Sequence, residues 1–279
     1  MSGSGFAHFK RRLVLKLVKR QRGRTADQRV LPDYIIIGAM RCGTTSLHNY
    51  LMQHPDVVAS YKKEIKFFDS NHFRGEKWYR AHFPLITEMG PGQITGEGSP
   101  YYIFHPLAAE RIAALLPQVK LIALLRNPVE RSYSHYQMSV RRGRETLSFE
   151  EAIAKEPERL AEVKEKIQVD DTFPMFNYKH YSYLTRSIYA DQLPVWFEHF
   201  PREQIKIIKS EDFYADPPAT FGAVTAFLGL PDWELSEYET HNPGRYSSMK
   251  PETRAQLVEY FQPHNQRLYE LLDTNYGWS

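Results

Sequence analysis

The chain of 279 residues carries a single cysteine, Cys42. An internal disulfide is therefore excluded, and a domain of this size without one suits a reducing cytoplasm. No stretch approaches the roughly 20 apolar residues that a membrane-spanning helix needs. Short apolar runs near the start, such as Leu13-Val14-Leu15, are broken at once by Lys and Arg and lack the apolar core of a secretory signal. No internal repeat and no low-complexity linker follows residue 30. What is present is a chain that is 42% hydrophobic, enough apolar surface for one α/β domain over residues 31–279.

Charge is unevenly placed. Residues 1–30 hold nine bases against the single acid Asp27, a charge of +8, which leaves 27 bases and 32 acids, or −5, for the rest. Phe6, Phe9, Leu13 and Leu17 recur at near-helical spacing among those bases. Such a basic segment either meets an anionic surface such as lipid headgroups or is a solvated leader. The expected setting is cytoplasmic, with peripheral membrane contact through residues 1–30 left open, and no nucleic-acid partner is expected.

From Asp33 the apolar pattern alternates between short buried runs and helical periods. Strands are expected at Tyr34–Ile37, Gln93–Glu97, Val119–Leu125 and Ile205–Ile208, with a short strand before Lys62. Helices are expected at Thr44–Gln53, Leu107–Leu116, from Pro128 onward, over 148–166, at Tyr178–Phe200 as one long aromatic helix, at Pro218–Leu228 and at Pro251–Leu272. Alternating strands and helices predict a P-loop-like parallel sheet flanked by helices in a single domain.

The run Gly38-Ala39-Met40-Arg41-Cys42-Gly43-Thr44-Thr45 joins the first strand to the first helix. Its glycines permit a tight turn with inward N–H groups, and the helix N-terminus adds its positive end, so the loop suits an anion. Two residues of the nucleoside-triphosphate version are missing. Thr44 stands where lysine follows the second glycine, and the nearest cation is Arg41 inside the loop. Arg126 ends the Val119–Leu125 strand where a magnesium-binding acid is usual. An arginine there repels a metal and attracts a second anion, with Arg131 and Ser134 one helical turn away. Two anion sites suit a nucleotide phosphorylated at two separate places.

Gly38 to Leu47, then Leu125-Arg126-Asn127-Pro128 with Arg131 and Ser134-His135-Tyr136, then Pro243-Gly244-Arg245-Tyr246, resemble the three cofactor motifs of the sulfotransferases that use 3′-phosphoadenosine 5′-phosphosulfate (PAPS). The likeness is greatest to the branch of the heparan sulfate sulfotransferases and their bacterial relatives, and it runs from Asp33 to Trp278. It implies that Arg41, Cys42, Gly43, Thr44, Thr45 and Ser46 hold the 5′-phosphosulfate and that Arg126 and Ser134 hold the 3′-phosphate. It also implies that Pro243, Gly244, Arg245, Tyr246 and Ser247 close over the cofactor, and that no metal takes part. The product would be adenosine 3′,5′-bisphosphate.

A hydroxyl that attacks sulfur must lose its proton, so a base is needed. Glu64, in Lys63-Glu64-Ile65-Lys66-Phe67-Phe68, matches the family's catalytic glutamate. Lys63 or Lys66 would tune it or bind the sulfuryl oxygens, and Arg41 would stabilise charge on the bridging oxygen. His48, His54, His72, His105 and His135 are rival bases without a comparable pattern. Arg186, Ser187, Tyr189 and Trp196 are candidates for the acceptor cleft. Arg41 stands where the heparan sulfate branch has lysine, and so does Gly98. The second change and the acidic body argue against a highly anionic glycosaminoglycan acceptor. A hydroxyl-bearing acceptor, carbohydrate, lipid or other small molecule, is expected. A phosphate-loop nucleotide or metabolite kinase, or a non-catalytic anion-binding protein, are the alternatives.

Overall fold

A computed structural model describes residues 21–166, 176–239 and 247–278. Its centre is a parallel sheet of β1 (Tyr34–Gly38), β2 (Val57–Ala59), β3 (Ile94–Gly98), β4 (Lys120–Leu125) and β5 (Ile205–Lys209), in the order β2-β3-β1-β4-β5. Every residue of β1 is buried, and so is every residue of β4 after Lys120. Strands of this kind lie between layers of helices, which is why their sequences run unbroken in Ile and Leu instead of alternating. Each such side chain withdrawn from water contributes about 1.5–3 kcal/mol, so the middle of the sheet is the hydrophobic anchor of the domain.

The order of the strands locates the site. From β1 the chain moves outward to β2 and β3 on one side, then crosses to β4 and β5 on the other. Connections diverge at such a switch point and leave a crevice beyond the carboxyl ends of the strands. The loop after β1 opens into that crevice.

The helices that frame it are α1 (Thr44–Leu51), α2 (Ala108–Leu115), α3 (Pro128–Arg141), α4 (Tyr189–His199), α5 (Pro217–Leu228) and α6 (Pro251–Leu272). Four of the six lie within two residues of their expected bounds and α3 starts where expected, because caps and breakers stand at their ends. Asn127 accepts a hydrogen bond from the Val129 amide, and Pro128 occupies the first turn of α3.

The long aromatic helix expected over Tyr178–Phe200 is not one helix. Short helical turns at Phe176–His180 and Thr185–Ser187 precede α4. The buried carboxylate of Glu156 explains the interruption. It accepts the amides of Leu184 and Thr185, each at 2.8 Å, and so takes donors that a continuous helix would use internally. Arg186 then folds back to the carbonyls of Tyr178 and Lys179 at 3.3 and 3.1 Å.

Of the basic segment, residues 1–20 lie outside the described residues. Arg22 donates to the carbonyls of Ala81 and Phe83, and Arg29 to that of Phe83, which joins this stretch to the body. Among the described residues no helix is long and apolar enough to cross a membrane.

Candidate active site

The first anion loop has the backbone that its glycines anticipate. Gly43 caps α1 with φ of 95°, a left-handed conformation that favours glycine, and a Cβ there would lie 3.2 Å from the Phe213 ring. Arg41 also adopts a positive φ, 75°, within the loop. Strain of this kind is held in place by surrounding contacts and is common at binding sites. The contact here is long-range, since Arg41 Nε donates to Ser134 Oγ of α3 at 2.9 Å. Arg126 in turn directs its guanidinium to the Arg41 carbonyl at 3.4 Å. Thus the two expected anion sites adjoin each other and share Arg41.

Thr44, Thr45 and Arg41 face a cavity of about 330 Å³ together with Glu64, Lys66 and Ser99. Cys42 and Ser46 are buried beneath the loop instead. The Cys42 thiol lies 3.7 Å from the Tyr189 hydroxyl, and burial pushes it up from its ordinary pKa. A raised thiol is a poor nucleophile, consistent with a packing role. Arg131, expected beside the second anion, is withdrawn into the core, where it donates to Ser187 Oγ at 2.6 Å and to the Tyr183 carbonyl at 2.7 Å. Pro243, Gly244, Arg245 and Tyr246 lie outside the described residues, and Ser247 is exposed.

Glu64 is half-buried at the rim of the cavity, with Oε2 3.0 Å from Lys66 Nζ. The loop that carries it is held by a second acid, Glu97 of β3, to which the sequence assigns no role. Glu97 is completely buried and accepts four hydrogen bonds, from Tyr79, Tyr102, Ser99 and the Ile65 amide, at 2.6 to 3.2 Å. Ser99 also accepts the Lys66 amide, and Tyr102 accepts the Phe67 amide. Three successive amides after Glu64 are therefore fixed by the network around Glu97. Its signal in the sequence is weak, since an acid in a weak strand beside glycines reads as exposed.

Burial lifts the Glu97 carboxyl to about 7, and its four donors offset only part of that rise. A folded-state value above the unfolded one contributes stability that is complete below the ordinary carboxylate range and is lost as pH rises through about 7. Melting temperature should accordingly fall between about pH 5 and about pH 8, and by less in Glu97→Gln, which cannot ionise. Equal falls in the two proteins would show that Glu97 does not titrate in this range.

The histidines offer little as rivals. Burial drives His48 down to about 4, His105 to about 3 and His135 well below its ordinary value. His54 is tied to the Pro231 carbonyl and the Asp56 amide.

The cavity lining also holds four further cations beside the acids Glu64 and Asp69. Arg142, Arg144, Lys179 and Arg186 face the cavity, with His180 and the aromatic ring of Tyr101. Lys179 lies 3.6 Å from Asp69 and 4.7 Å above the Tyr101 ring. Arg186 is buried against Tyr101 and Phe104, and burial lowers it to about 10. Of the expected acceptor residues only Arg186 reaches the cavity, while Ser187, Tyr189 and Trp196 are core residues. The sequence signal for the others is the run Arg141-Arg142-Gly143-Arg144, which the positive φ of Gly143, 65°, turns off the end of α3.

Comparison with known proteins shows the family of the chain. A family model described as a sulfotransferase domain matches residues 31–266. The chain is 30% identical to the membrane-associated sulfotransferase kil1 of Dictyostelium discoideum, over 89% of this chain and 66% of that protein. It is likewise 30% identical to human heparan sulfate glucosamine 3-O-sulfotransferase 3B1, over 89% of this chain and 65% of that protein. The chain thus spans about two thirds of the length of these two relatives. Among solved structures, a sulfotransferase from Alicyclobacillus acidocaldarius superposes with a TM-score of 0.70 at 33% identity, covering 88% of this chain and 97% of that one.

Proposed function

Because the chain belongs to the sulfotransferase domain family, we propose that it moves the sulfuryl group of PAPS onto a hydroxyl of a negatively charged, carbohydrate-type acceptor. The observation that carries this reading is that one cavity is lined by the anion loop, by Glu64 and by four further cations. In this reading Arg41 to Ser46 hold the 5′-phosphosulfate, Arg126 and Ser134 the 3′-phosphate, and Pro243 to Ser247 close over the nucleotide. The donor supplies an activated sulfuryl group whose transfer leaves negative charge on the bridging oxygen. Loop N–H groups and Arg41 stabilise that charge. Glu64 accepts the proton of the acceptor hydroxyl.

Acceptor charge is inferred from those cations. Arg41 belongs to the anion loop, whereas Arg142, Arg144, Lys179 and Arg186 come from other segments that line the same cavity and favour an anion there. Glu64 and Asp69 also line this cleft, but the four cations outnumber them, which weighs against the expectation drawn from net charge alone. The name of the human relative, a glucosamine 3-O-sulfotransferase, supports a sugar hydroxyl. A cytoplasmic setting belongs to the same proposal.

The test is incubation with PAPS and matched neutral and uronate-bearing oligosaccharides, read by mass spectrometry. The uronate-bearing set should gain one sulfuryl group. Transfer to the neutral set alone would overturn the charged acceptor, and no transfer from PAPS to any hydroxyl would overturn the donor.

Metal dependence separates this function from phosphoryl transfer. Arg126 ends β4 where a metal-binding acid would be needed, and the Glu97 carboxylate on the other side of β1 is committed to four protein donors. Transfer should persist in excess EDTA. A complete loss, restored by Mg²⁺, would favour the kinase reading.

A further inference from the structure

Two lysines flank Glu64, and they point to different partners. Lys66 lies on the Glu64 carboxylate at 3.0 Å. Lys63 turns to the loop instead, where its Nζ donates to Thr45 Oγ1 at 2.7 Å. Its stem crosses Gly98 of β3. A Cβ built at Gly98 would lie 3.5 Å from Lys63 Cε and 3.4 Å from Ile36 Cβ, so a longer side chain at 98 and that of Lys63 would contend for one volume. Backbone contact reinforces the placement, since the Gly98 amide donates to the Lys63 carbonyl at 3.0 Å.

Among the described residues Lys63 forms no ion pair, and Thr45 is its side-chain hydrogen-bond partner. An ammonium has three donors and no acceptor. Held at the hydroxyl of an anion loop, it has two further donors to offer a ligand at that loop. The loop itself lacks the lysine of its triphosphate counterpart, because Thr44 follows Gly43.

We propose that Lys63 is the second cation of the anion loop, reaching from the strand edge to the 5′-phosphosulfate of the donor opposite Arg41. Lys63 is then a catalytic residue, in direct contact with the transferring group. The inference rests on the reading that PAPS is the donor. Burial agrees with it, since desolvation pulls the Lys63 ammonium down to about 8 despite the neighbouring Glu64. An anion placed beside it restores the proton, so binding near pH 8 should take up about half a proton per site.

The experiment is calorimetric titration near pH 8, in two buffers of unlike ionisation enthalpy, of wild type, Lys63→Ala and the double variant Lys63→Ala/Gly98→Lys. The probes are adenosine 3′,5′-bisphosphate and adenosine 3′-monophosphate, which lacks the 5′ group. Wild type should take up protons with the bisphosphate. Lys63→Ala should bind it about ten-fold or more weakly, without uptake, while its affinity for the 3′-monophosphate stays unchanged. Gly98→Lys in that background should recover bisphosphate affinity to within a few-fold, because it returns an ammonium to the same volume. Unchanged bisphosphate binding in Lys63→Ala, equal losses for both nucleotides, or no recovery in the double variant overturns the role of Lys63. Wild type that binds the bisphosphate no better than the 3′-monophosphate overturns the donor reading itself, and Lys63 falls with it.

Discussion

Replacing Glu64 by glutamine should lower kcat by about 100-fold or more while the affinity for adenosine 3′,5′-bisphosphate stays within a few-fold of wild type. Glutamine keeps the volume and one hydrogen-bond acceptor but cannot take a proton. The ion pair with Lys66 does not stand in the way of that role. Its two side chains are 37% and 40% exposed, and pairs of this kind contribute only about 0–1 kcal/mol. Glu64 can therefore leave Lys66 for an incoming hydroxyl at little cost. By the same argument the substitution should barely change stability, so a fall in turnover would report chemistry and not unfolding. Initial rates with the acceptor that wild type sulfates, paired with calorimetry on the bisphosphate, make the comparison. Turnover within a few-fold of wild type would remove Glu64 from the role of base.

The elements legible in the amino-acid sequence are those whose signals are local. A strand buried on both faces must be apolar throughout, and β1 and β4 are. The loop after β1 announces itself because Gly38 and Gly43 bracket it, and only glycine takes the backbone at 43 without strain. Helix α3 begins where Asn127 and Pro128 cap it. Long-range electrostatics are not legible in this way. The break before α4 depends on a carboxylate 28 residues upstream of Leu184, in another helix, and no property of the Tyr178–Phe200 stretch itself reveals it. Arg131 illustrates the same limit in reverse. Its spacing from Arg126 suggests a shared anion, whereas its side chain turns inward to Ser187 and Tyr183.

Glu97 is hidden for a related reason, and the sequence does not divide the expected roles between Lys63 and Lys66. Each is placed only by its partners, four donors from three segments for Glu97 and Thr45 of α1 for Lys63. Net charge is silent in the same way. A body of −5 says nothing of where its 27 bases stand, and Arg142, Arg144, Lys179 and Arg186 line one cavity with Glu64 and Asp69. The fold follows from apolar periodicity, but the character of the cleft depends on which cations the loops return to it.

The second large effect concerns the other end of the nucleotide. Wild type should prefer adenosine 3′,5′-bisphosphate to ADP, and Arg126→Ala should lose most of that preference. In the proposed reading two anion sites meet at Arg41, whose Nε bonds Ser134 at 2.9 Å and whose carbonyl receives the Arg126 guanidinium at 3.4 Å. ADP places its phosphates in the first pocket and offers nothing to the second. A charge-assisted contact from Arg126 to a 3′-phosphate contributes roughly 1.5–3 kcal/mol, equivalent to about a 10- to 150-fold difference in Kd. Loss of the Arg126 side chain should leave the strand end in place, because its backbone amide and carbonyl are both bonded to the Tyr189 hydroxyl. Nor should the first pocket loosen much, since a contact of 3.4 Å to the Arg41 carbonyl is a weak one. The substitution should accordingly weaken bisphosphate binding and leave the feeble binding of ADP almost untouched. Titration of both proteins with both nucleotides gives the four constants required. If wild type binds the two alike, or if Arg126→Ala weakens both by the same factor, Arg126 does not read the 3′-phosphate and the second pocket must be sought elsewhere along α3.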